Sequence, residues 1–386
     1  MSAGPTPMVS AVAGLFMKPL AEEFDLSRTA ISAILLLSPL GVALFAPLGG
    51  RLLDRFGVRP VLLPVVLAFA AVNAAMLLVR DLWQYVLLAA GISACIAVHC
   101  YSSYTKVLAL WFGRNRGAVT GLVIACGSGA GAVVVPQLVQ PWIAEHGWRY
   151  AYGAIGLIVL LWAFPILFLF LREPHGRRGP QENTTLPAVE GLTRGEAIRT
   201  RAFWTIAAAM YLAPLTIVGT LAHLFPMLTE RGVAPGTAAT ALSFIYVGGM
   251  IGQLSSGWLL DRVDSPRVVL PYFCAALVGV VILHRGDGTA LLLPGAVLLG
   301  LGQGSEMSIL AYLTTRYFGL AHYGAIYGRL YGFANLGIAS GLLSMGVVHD
   351  WAGEYRPMGA VLPVLMVLVV VLFALLPPYR FARRAA

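Results

Sequence analysis

Long apolar segments alternate with short polar loops along almost the whole chain. About 20 mostly apolar residues are enough for an α-helix to cross a bilayer, and we count twelve such segments, numbered here as spans 1 to 12. The short alternating segments of a membrane β-barrel are absent from the sequence. The pattern therefore predicts an all-α membrane protein with twelve transmembrane helices in two six-helix bundles. The spans are Gly4 to Leu20, Thr29 to Leu53, Pro60 to Val79, Leu82 to Leu110, Gly117 to Ile143, Tyr150 to Leu171, Ala202 to Leu228, Thr237 to Leu260, Arg267 to His284, Thr289 to Thr315, Tyr323 to Val348 and Met358 to Pro377.

One long polar stretch interrupts this alternation. Residues 172–201 contain proline, glycine, glutamate and six arginines, a composition typical of a flexible linker. We therefore predict an N-terminal six-helix bundle over 1–171, a cytoplasmic linker over 172–201 and a C-terminal six-helix bundle over 202–386.

The composition supports a membrane protein. Hydrophobic residues make up 59% of the chain and charged residues 11%, against about 25% charged in a soluble domain. The net charge of +9 does not indicate nucleic-acid binding, because the arginines cluster in short loops and not on a basic stripe. The predicted partners are therefore the lipid bilayer and a small molecule.

The cysteines give no sign of a metal site or a cofactor. Cys95, Cys100, Cys126 and Cys274 all fall inside apolar segments and lack metal-ligand spacing, so neither a disulfide framework nor a zinc site is predicted. No nucleotide-binding loop or nucleophile–base motif stands out, and we expect neither an enzyme nor a bound cofactor.

The basic residues predict the orientation. With the linker in the cytoplasm, cytoplasmic loops and tail hold 17 basic residues and outer loops hold 7. Cytoplasmic loops of membrane proteins are enriched in lysine and arginine, so both termini are predicted inside, in a cell membrane that we expect to be a bacterial inner membrane. The N-terminus has no basic region before its apolar stretch, so span 1 is expected to be retained.

The two halves of the sequence repeat each other at an offset of 207 residues. Parallel repeats of six helices are typical of secondary transporters, whose substrate site lies where the repeats meet. Because span 7 begins near Ala202, the offset places the start of span 1 about five residues before Met1, and we expect the native start to lie upstream. Matching positions are Pro7 and Pro214, Pro19 and Pro226, Glu23 and Glu230, Gly41 and Gly248, Gly50 and Gly257, Asp54 and Asp261, Arg55 and Arg262, Gly117 and Gly324, Gly121 and Gly328, and Arg149 and Arg356.

The loop after span 2 carries a motif, Gly50-Arg-Leu-Leu-Asp54-Arg55-Phe-Gly57-Val-Arg59. It resembles the signature loop of the major facilitator superfamily. A shorter copy follows span 8, with Gly257, Asp261 and Arg262, and ends at Asp264. Glycine allows close helix approach and aspartate can cap a helix or pair with arginine, so we predict that both loops take part in gating between transport states.

Further stretches resemble the bacterial branch of the monocarboxylate porter family. These are Trp111 to Gly117, Gly147-Trp148-Arg149, His223 to Pro226, and Gly302 to Tyr327 with its tyrosine–glycine pairs. Monocarboxylate porters commonly carry an arginine in the eighth helix that pairs with the substrate carboxylate. The corresponding position here is Gln253, a departure that weakens the case for a monocarboxylate substrate.

Ionisable residues inside spans are costly and mark function by default. Five are well inside: His99 and Lys106 in span 4, His223 in span 7, Glu306 in span 10 and Arg329 in span 11. The superfamily fold implies that helices 1, 4, 7 and 10 line the cavity, that helices 2, 5, 8 and 11 flank it, and that helices 3, 6, 9 and 12 face lipid. Each of the five has a structural alternative, namely packing, pairing with a neighbour or an interfacial position.

Uncharged polar residues extend the predicted substrate or proton pathway. Tyr246 and Gln253 lie seven residues apart in span 8, and Gln303 lies one turn from Glu306. We expect a transporter working by alternating access, in which Lys106 or Arg329 attracts a small organic anion such as a carboxylate and Glu306 carries a coupled proton. The alternatives are a proton-driven exporter of amphipathic or neutral compounds and a non-transporting receptor or scaffold.

Overall fold

The computed structural model describes residues 16, 19–20, 22–26, 28–99, 104, 107, 119, 122, 139, 141–143, 145–171, 191–286 and 289–381. These residues are helical almost throughout, and within them the nearest approach to a sheet is one isolated antiparallel bridge between Gly191 and Gly319. The all-α class predicted from the sequence is confirmed. Most of predicted spans 1 and 5 lies outside the described residues.

The described helices of the N-terminal unit are four. Helix α1 covers Arg28–Phe56, α2 covers Val58–Ala75, α3 covers Leu82–Val98 and α4 covers Trp148–Phe170. Helix α1 packs along α3, and α2 packs along α4 and α3. A 3₁₀ turn continues α2, and one π-helical turn, Val159–Ala163, lies inside α4.

The prediction of one continuous helix from Leu82 to Leu110 is wrong at its centre. Helix α3 ends at Val98, and His99 leaves the helical conformation at φ −87° and ψ 33°. The His99 Nε2 atom lies 2.6 Å from the Tyr104 hydroxyl, a side-chain contact that the helical pattern alone could not reveal.

The C-terminal unit is described almost completely. Its helices are α5, Arg194–Ile198; α6, Arg201–Glu230; α7, Pro235–Arg262; α8, Leu270–Arg285; α9, Leu292–Phe318; α10, Tyr323–Ala352; and α11, Met358–Ala374. Helix α7 packs along α9, α6 along α10, and α8 along α9, while α11 covers α6 and α8.

The repeat appears as equivalent helix contacts in the two units. In the N-terminal unit, a Cβ atom on Gly41 of α1 would lie 2.5 Å from the Ser93 Cβ atom of α3. In the C-terminal unit, a Cβ atom on Gly248 of α7 would lie 2.2 Å from the Val297 carbonyl oxygen of α9. Each glycine therefore permits a close approach that a larger side chain would prevent.

Part of the predicted linker is ordered on the C-terminal unit. Thr193 and Glu196 form a capping box at the start of α5, in which the Glu196 carboxylate accepts from the Thr193 backbone N–H at 2.7 Å. The backbone N–H of Leu192 donates to the Phe318 carbonyl at 2.8 Å. The domain boundaries at 171 and 201 stay a prediction.

The surface and the helix lengths are those of a membrane protein. Eight described helices are long and apolar enough to cross a bilayer, and α3 and α11 are shorter apolar helices. Many large apolar side chains are exposed along them, among them Leu44, Leu161, Trp162 and Val364. In a bilayer these side chains contact lipid, so their exposure needs no further partner.

Candidate functional site

Glu306 lies in the middle of α9 with its side chain buried. The residue is 4% exposed, and within the described part of the chain its Oε1 atom has no hydrogen-bond partner. Nearby Ser305 satisfies its hydroxyl by donating to the Gly302 carbonyl of its own helix at 2.9 Å. A buried carboxyl without a partner is expensive, especially when ionised, so its position calls for a role beyond packing.

Gln303 lies one turn before Glu306 and faces α7. Its Oε1 atom would lie only 2.7 Å from a Cβ atom placed on Gly249, so the half-buried amide occupies the space that this glycine leaves open. The structure thus places a polar side chain beside Glu306 on the face of α9 that packs on α7.

The other two predicted residues of α7 are more accessible. Tyr246 is 57% exposed and Gln253 is half-buried. From Pro235 to Leu260 the sequence of α7 carries no charged side chain. The face that holds Tyr246 therefore offers aromatic and amide contacts and no cation.

Arg329 is half-buried on α10. Its Nη1 atom donates to the Ala325 carbonyl, one turn earlier, at 2.5 Å. On the same helix the rings of Tyr327 and Tyr331 stack with centroids 5.9 Å apart, and the Asn335 amide donates to the Tyr331 carbonyl at 2.9 Å. These three side chains are buried, which gives α10 a stiff aromatic face next to Arg329.

The predicted residues of span 4 fall partly outside the described chain. His99 is 2% exposed and its ring contacts Tyr104 edge-on, with centroids 5.2 Å apart. Because His99 lies beyond the last residue of α3, helical spacing does not relate it to later residues. Lys106 lies outside the described residues.

His223 belongs to a different cluster, at the end of α6. Its Nδ1 atom lies 3.2 Å from the Tyr355 hydroxyl and its Nε2 atom 3.3 Å from the Leu342 carbonyl oxygen. The sequence placed His223 in span 7, and the structure adds two partners that are more than 100 residues away in the chain.

The first predicted gating loop is very short. Asp54 and Arg55 lie in the last turn of α1, and Gly57, with φ 87°, is the single residue between α1 and α2. Arg59 in the first turn of α2 donates to the Phe168 carbonyl of α4 at 2.8 Å. The positive φ explains the glycine of the motif, because other residues rarely adopt that conformation. Gly50 is buried within α1.

The second copy of the motif ends differently. Gly257 is buried in α7, and Asp261 and Arg262 lie in its last turn. The Arg262 guanidinium stacks on Trp258 at 3.7 Å. Asp264 stands where the first copy has Gly57, and its carboxylate accepts a hydrogen bond from Arg316 at the end of α9.

Arg316, counted from the sequence among the basic residues of the cytoplasmic side, lies in the last turn of α9 and is buried. Its side chain is 2% exposed and lies over the Tyr379 ring at 4.4 Å. The ion pair with Asp264 and the tyrosine ring offset part of the cost of its burial. Its Nε and Nη1 atoms are buried without a hydrogen-bond partner in the described part of the chain. The pairing joins residues 52 positions apart, which no local pattern could have indicated.

Glu23, which the repeat pairs with Glu230, lies before α1 in the N-terminal unit. Its carboxylate accepts from Trp148 Nε1 at 2.5 Å and from both terminal nitrogens of Arg149, with Nη1 at 2.8 Å. The hydrogen bonds from Arg149 lower the pKa of Glu23, although partial burial opposes the shift. Among the described residues, no group of three or more histidine, cysteine or acidic side chains could hold a metal ion.

Apolar membrane-spanning helices, repeated helix contacts and a buried carboxyl define a multi-pass membrane transporter. The sequence model of the Major Facilitator Superfamily matches residues 2–286, which is more than half of the chain. The chain therefore belongs to the Major Facilitator Superfamily, a family of secondary transporters and not of enzymes.

Two sequence relatives and one solved structure give the range of similarity. The chain is 26% identical over 384 residues to the gallate transporter of Pseudomonas putida, covering 86% of this chain and 83% of that protein. It is 26% identical over 357 residues to human monocarboxylate transporter 11, covering 89% and 74%. The crystal structure of the E. coli fucose:proton symporter superimposes with a TM-score of 0.69 at 15% identity, covering 96% of each chain, and this likeness shows the fold alone.

Proposed function

We propose that this transporter moves a small organic anion, such as a carboxylate, together with a proton by alternating access. The observation that carries the proposal is Glu306, a buried carboxyl whose Oε1 atom has no hydrogen-bond partner in the described part of the chain. Glu23 pairs with Arg149 and Asp264 pairs with Arg316. No such contact is made by the Glu306 Oε1 atom in the described part of the chain.

Glu306 would work as the proton carrier because its environment penalises charge. When water is excluded, an unpaired carboxylate costs several kilocalories per mole or more, so the neutral, protonated form is favoured. When the site is open to water, the carboxylate is solvated and the proton can leave. Alternating exposure of one carboxyl thus links proton movement to the conformational cycle.

Anion recognition is assigned to Arg329 and Lys106. Arginine offers several N–H donors in a plane that matches a carboxylate, and Arg329 is half-buried on α10. The similarity to a protein named gallate transporter supports an organic acid as substrate.

The second candidate is a proton-driven exporter of amphipathic or neutral compounds. The uncharged α7 favours it, because Gln253 stands where a carboxylate porter commonly has arginine. The exposed Tyr246 and Met250 would suit an apolar ligand.

The test uses purified protein in proteoliposomes with gallate as the first substrate. Glu306→Gln keeps size and hydrogen bonding and cannot release a proton, so it should abolish uphill uptake driven by a proton gradient and leave gallate exchange partly intact. Glu354→Gln, an exposed change, is the control and should behave as the parent. Proton-driven accumulation that survives in Glu306→Gln would leave Glu306 as a structural residue.

The two candidate functions differ in their response to removal of positive charge. Arg329→Gln and Lys106→Gln should weaken the binding of an organic anion by about 1.5–3 kcal/mol, the range for a hydrogen bond to a charged group. They should have little effect on a neutral or cationic amphipath. Tight binding of amphipaths that is unchanged in both variants, with no binding of carboxylates, would favour the exporter.

A further inference from the structure

A second group of titratable side chains lies at one end of the C-terminal unit, where α6 and α10 end. Its members are His223 and Glu230 of α6, His349 of α10, and Tyr355 in the segment 353–357 between α10 and α11. The His349 Nε2 atom lies 3.1 Å from a Glu230 carboxylate oxygen. Tyr355 contacts both imidazole rings, with centroids 5.6 Å from His223 and 4.5 Å from His349.

The partners of His223 define where its protons lie. The Leu342 carbonyl can only accept, so Nε2 of His223, 3.3 Å away, must carry a hydrogen. A neutral imidazole then has a bare Nδ1, which accepts from the Tyr355 hydroxyl at 3.2 Å. A second proton on His223 reverses this hydrogen bond, because Nδ1–H becomes the donor and the Tyr355 oxygen must accept.

His349 is the more accessible ring of the two. Its side chain is 31% exposed and that of Glu230 is 44% exposed, so water reaches both. The other ring nitrogen, Nδ1, lies 3.9 Å from the Asp350 carboxylate. Protonated His349 would thus stand between two carboxylates, on α6 and on its own helix.

Of the other ionisable groups at this end, Arg231, His284 and Arg285 are held by other contacts. Glu354 and Arg356 are exposed on either side of Tyr355. Arg231, which follows α6, donates to the carbonyls of Leu283, at 2.7 Å, and Gly286. His284 of α8 is buried, with Nε2 3.1 Å from the Thr220 hydroxyl. Neither contacts Tyr355 or Glu230 through a hydrogen bond recorded among the described residues.

Tyr355 contacts both histidines, so its hydrogen bonding responds to their protonation. Burial raises the pKa of Tyr355, and the negative charges of Glu230 and Asp350 act in the same direction. Its hydroxyl therefore keeps its proton across the physiological range and either donates to His223 or accepts from it. Both imidazoles contact the same phenol ring, so positive charges on the two histidines would repel each other.

We propose that His223, Tyr355, His349 and Glu230 form a proton-binding site, separate from Glu306, whose protonation resets the hydrogen bond that ties the segment 353–357 to α6. Because Tyr355 contacts both rings, protonation of one histidine affects protonation of the other. Glu230 stabilises the charged form of His349. This site is independent of the proposed coupling role of Glu306: either one could be present without the other.

Histidine NMR tests the site without reference to any substrate. The chain has seven histidines, so ¹³C-histidine-labelled protein in lipid nanodiscs gives few signals, and each His→Gln variant assigns one. Between about pH 5 and pH 8, where histidine ordinarily titrates, the His223 and His349 signals should both move. In His349→Gln, the midpoint of the His223 signal should change by about half a pH unit or more, as expected for interacting groups.

Matched variants separate a proton site from simple packing. Tyr355→Phe keeps the ring and removes the hydroxyl, and should also change the His223 midpoint. His146→Gln is the control, because His146 is exposed and has a carboxylate, Glu145, at a comparable 3.9 Å, and it should leave the other signals in place. If His349→Gln does not fold, Glu230→Gln removes the same carboxylate contact and serves instead.

The outcomes decide the proposal clearly. His223 and His349 signals that stay constant from pH 5 to pH 8, or midpoints that are unaffected by the partner's removal, would overturn it and leave the cluster as packing. Glu306→Gln should leave both midpoints unchanged. A failure of this site therefore leaves the Glu306 proposal intact, and a failure of Glu306 as proton carrier leaves the histidine titrations intact.

Discussion

Gly341 of α10 lies directly against the backbone of Leu215 of α6, so closely that a Cβ atom on the glycine would be 2.3 Å from the Leu215 carbonyl oxygen. The approach is reciprocal, because a Cβ atom on Gly219 of α6 would lie 3.1 Å from the Gly341 carbonyl oxygen. Without a hydrophobic force between helices in lipid, such close packing is a main source of helix association. The α6–α10 pair therefore depends on glycines at these positions.

Gly341→Ala should destabilise the protein because α6 and α10 must move apart to accommodate the methyl group. Overpacking of this kind costs about 1–3 kcal/mol. Gly346→Ala is the matched control on the same helix, since a Cβ atom there meets nothing within 4 Å. Thermal unfolding in lipid nanodiscs should show a lower transition for Gly341→Ala alone, and equal transitions for both variants would contradict the packing of α6 on α10.

Asp264→Asn should also destabilise the protein, through its partner. The change leaves the buried Arg316 charge, 2% exposed, without its carboxylate. Removing one partner of a fully buried pair costs about 3–5 kcal/mol. The Asp264 side chain is 58% exposed, so we expect a smaller loss, about 1–3 kcal/mol.

A second substitution checks the electrostatic origin of this loss. Arg316→Leu in the Asp264→Asn protein removes the uncompensated charge and should recover part of the stability, as measured by thermal unfolding. Glu354→Gln, at an exposed position, should have no effect. If the double variant is less stable than Asp264→Asn, the cost comes from packing around Arg316 and not from its charge.

The fold was largely predictable because its signals are local or periodic. Apolar length gave the membrane helices, and the 207-residue offset matched Gly41 with Gly248, which prove to occupy equivalent helix contacts. The sequence placed Glu306 well inside span 10, and the structure has it inside α9 with its side chain buried. These inferences needed no knowledge of which helices touch.

The contacts that the sequence did not predict join residues far apart in the chain. The burial of Arg316 depends on Asp264, and the His349–Glu230 contact joins positions 119 residues apart. His284 was taken as the end of a lipid-facing span, yet it is buried against Thr220. The match of Glu23 with Glu230 in the repeat was one sign of these contacts. Both carboxylates prove to be hydrogen-bonded to residues far away in the chain.

The predicted orientation can be tested with two glycines whose Cβ positions are open. Gly195 of α5 lies in the predicted linker, and Gly236 lies in the first turn of α7, at the end away from Arg262. A Cβ atom at either position meets nothing within 4 Å. Each is replaced by cysteine in a background lacking the four native cysteines.

An impermeant maleimide added to intact cells should label Gly236→Cys and should reach Gly195→Cys only after the membrane is opened. The reason is the excess of basic residues on the linker side, 17 against 7, which favours that side in the cytoplasm. The opposite labelling pattern would invert the topology and place both termini outside.

Asp54→Asn tests whether the first motif works as a gate. Asp54 lies half-buried in the last turn of α1, one turn before Val58 begins α2. If its carboxylate makes a contact in one transport state only, loss of that contact, worth about 1–2 kcal/mol, should slow transport about 10-fold. The amount of folded protein and its unfolding temperature should stay near those of the parent, because no packing atom is removed.

Glu145→Gln, a charge removal at a side chain that is 72% exposed, should transport normally. Asp261→Asn, the equivalent change in the second motif, should slow transport as well if both copies act as gates. Parent-rate transport by Asp54→Asn in proteoliposomes would reduce the motif to a short turn whose arginines set the topology.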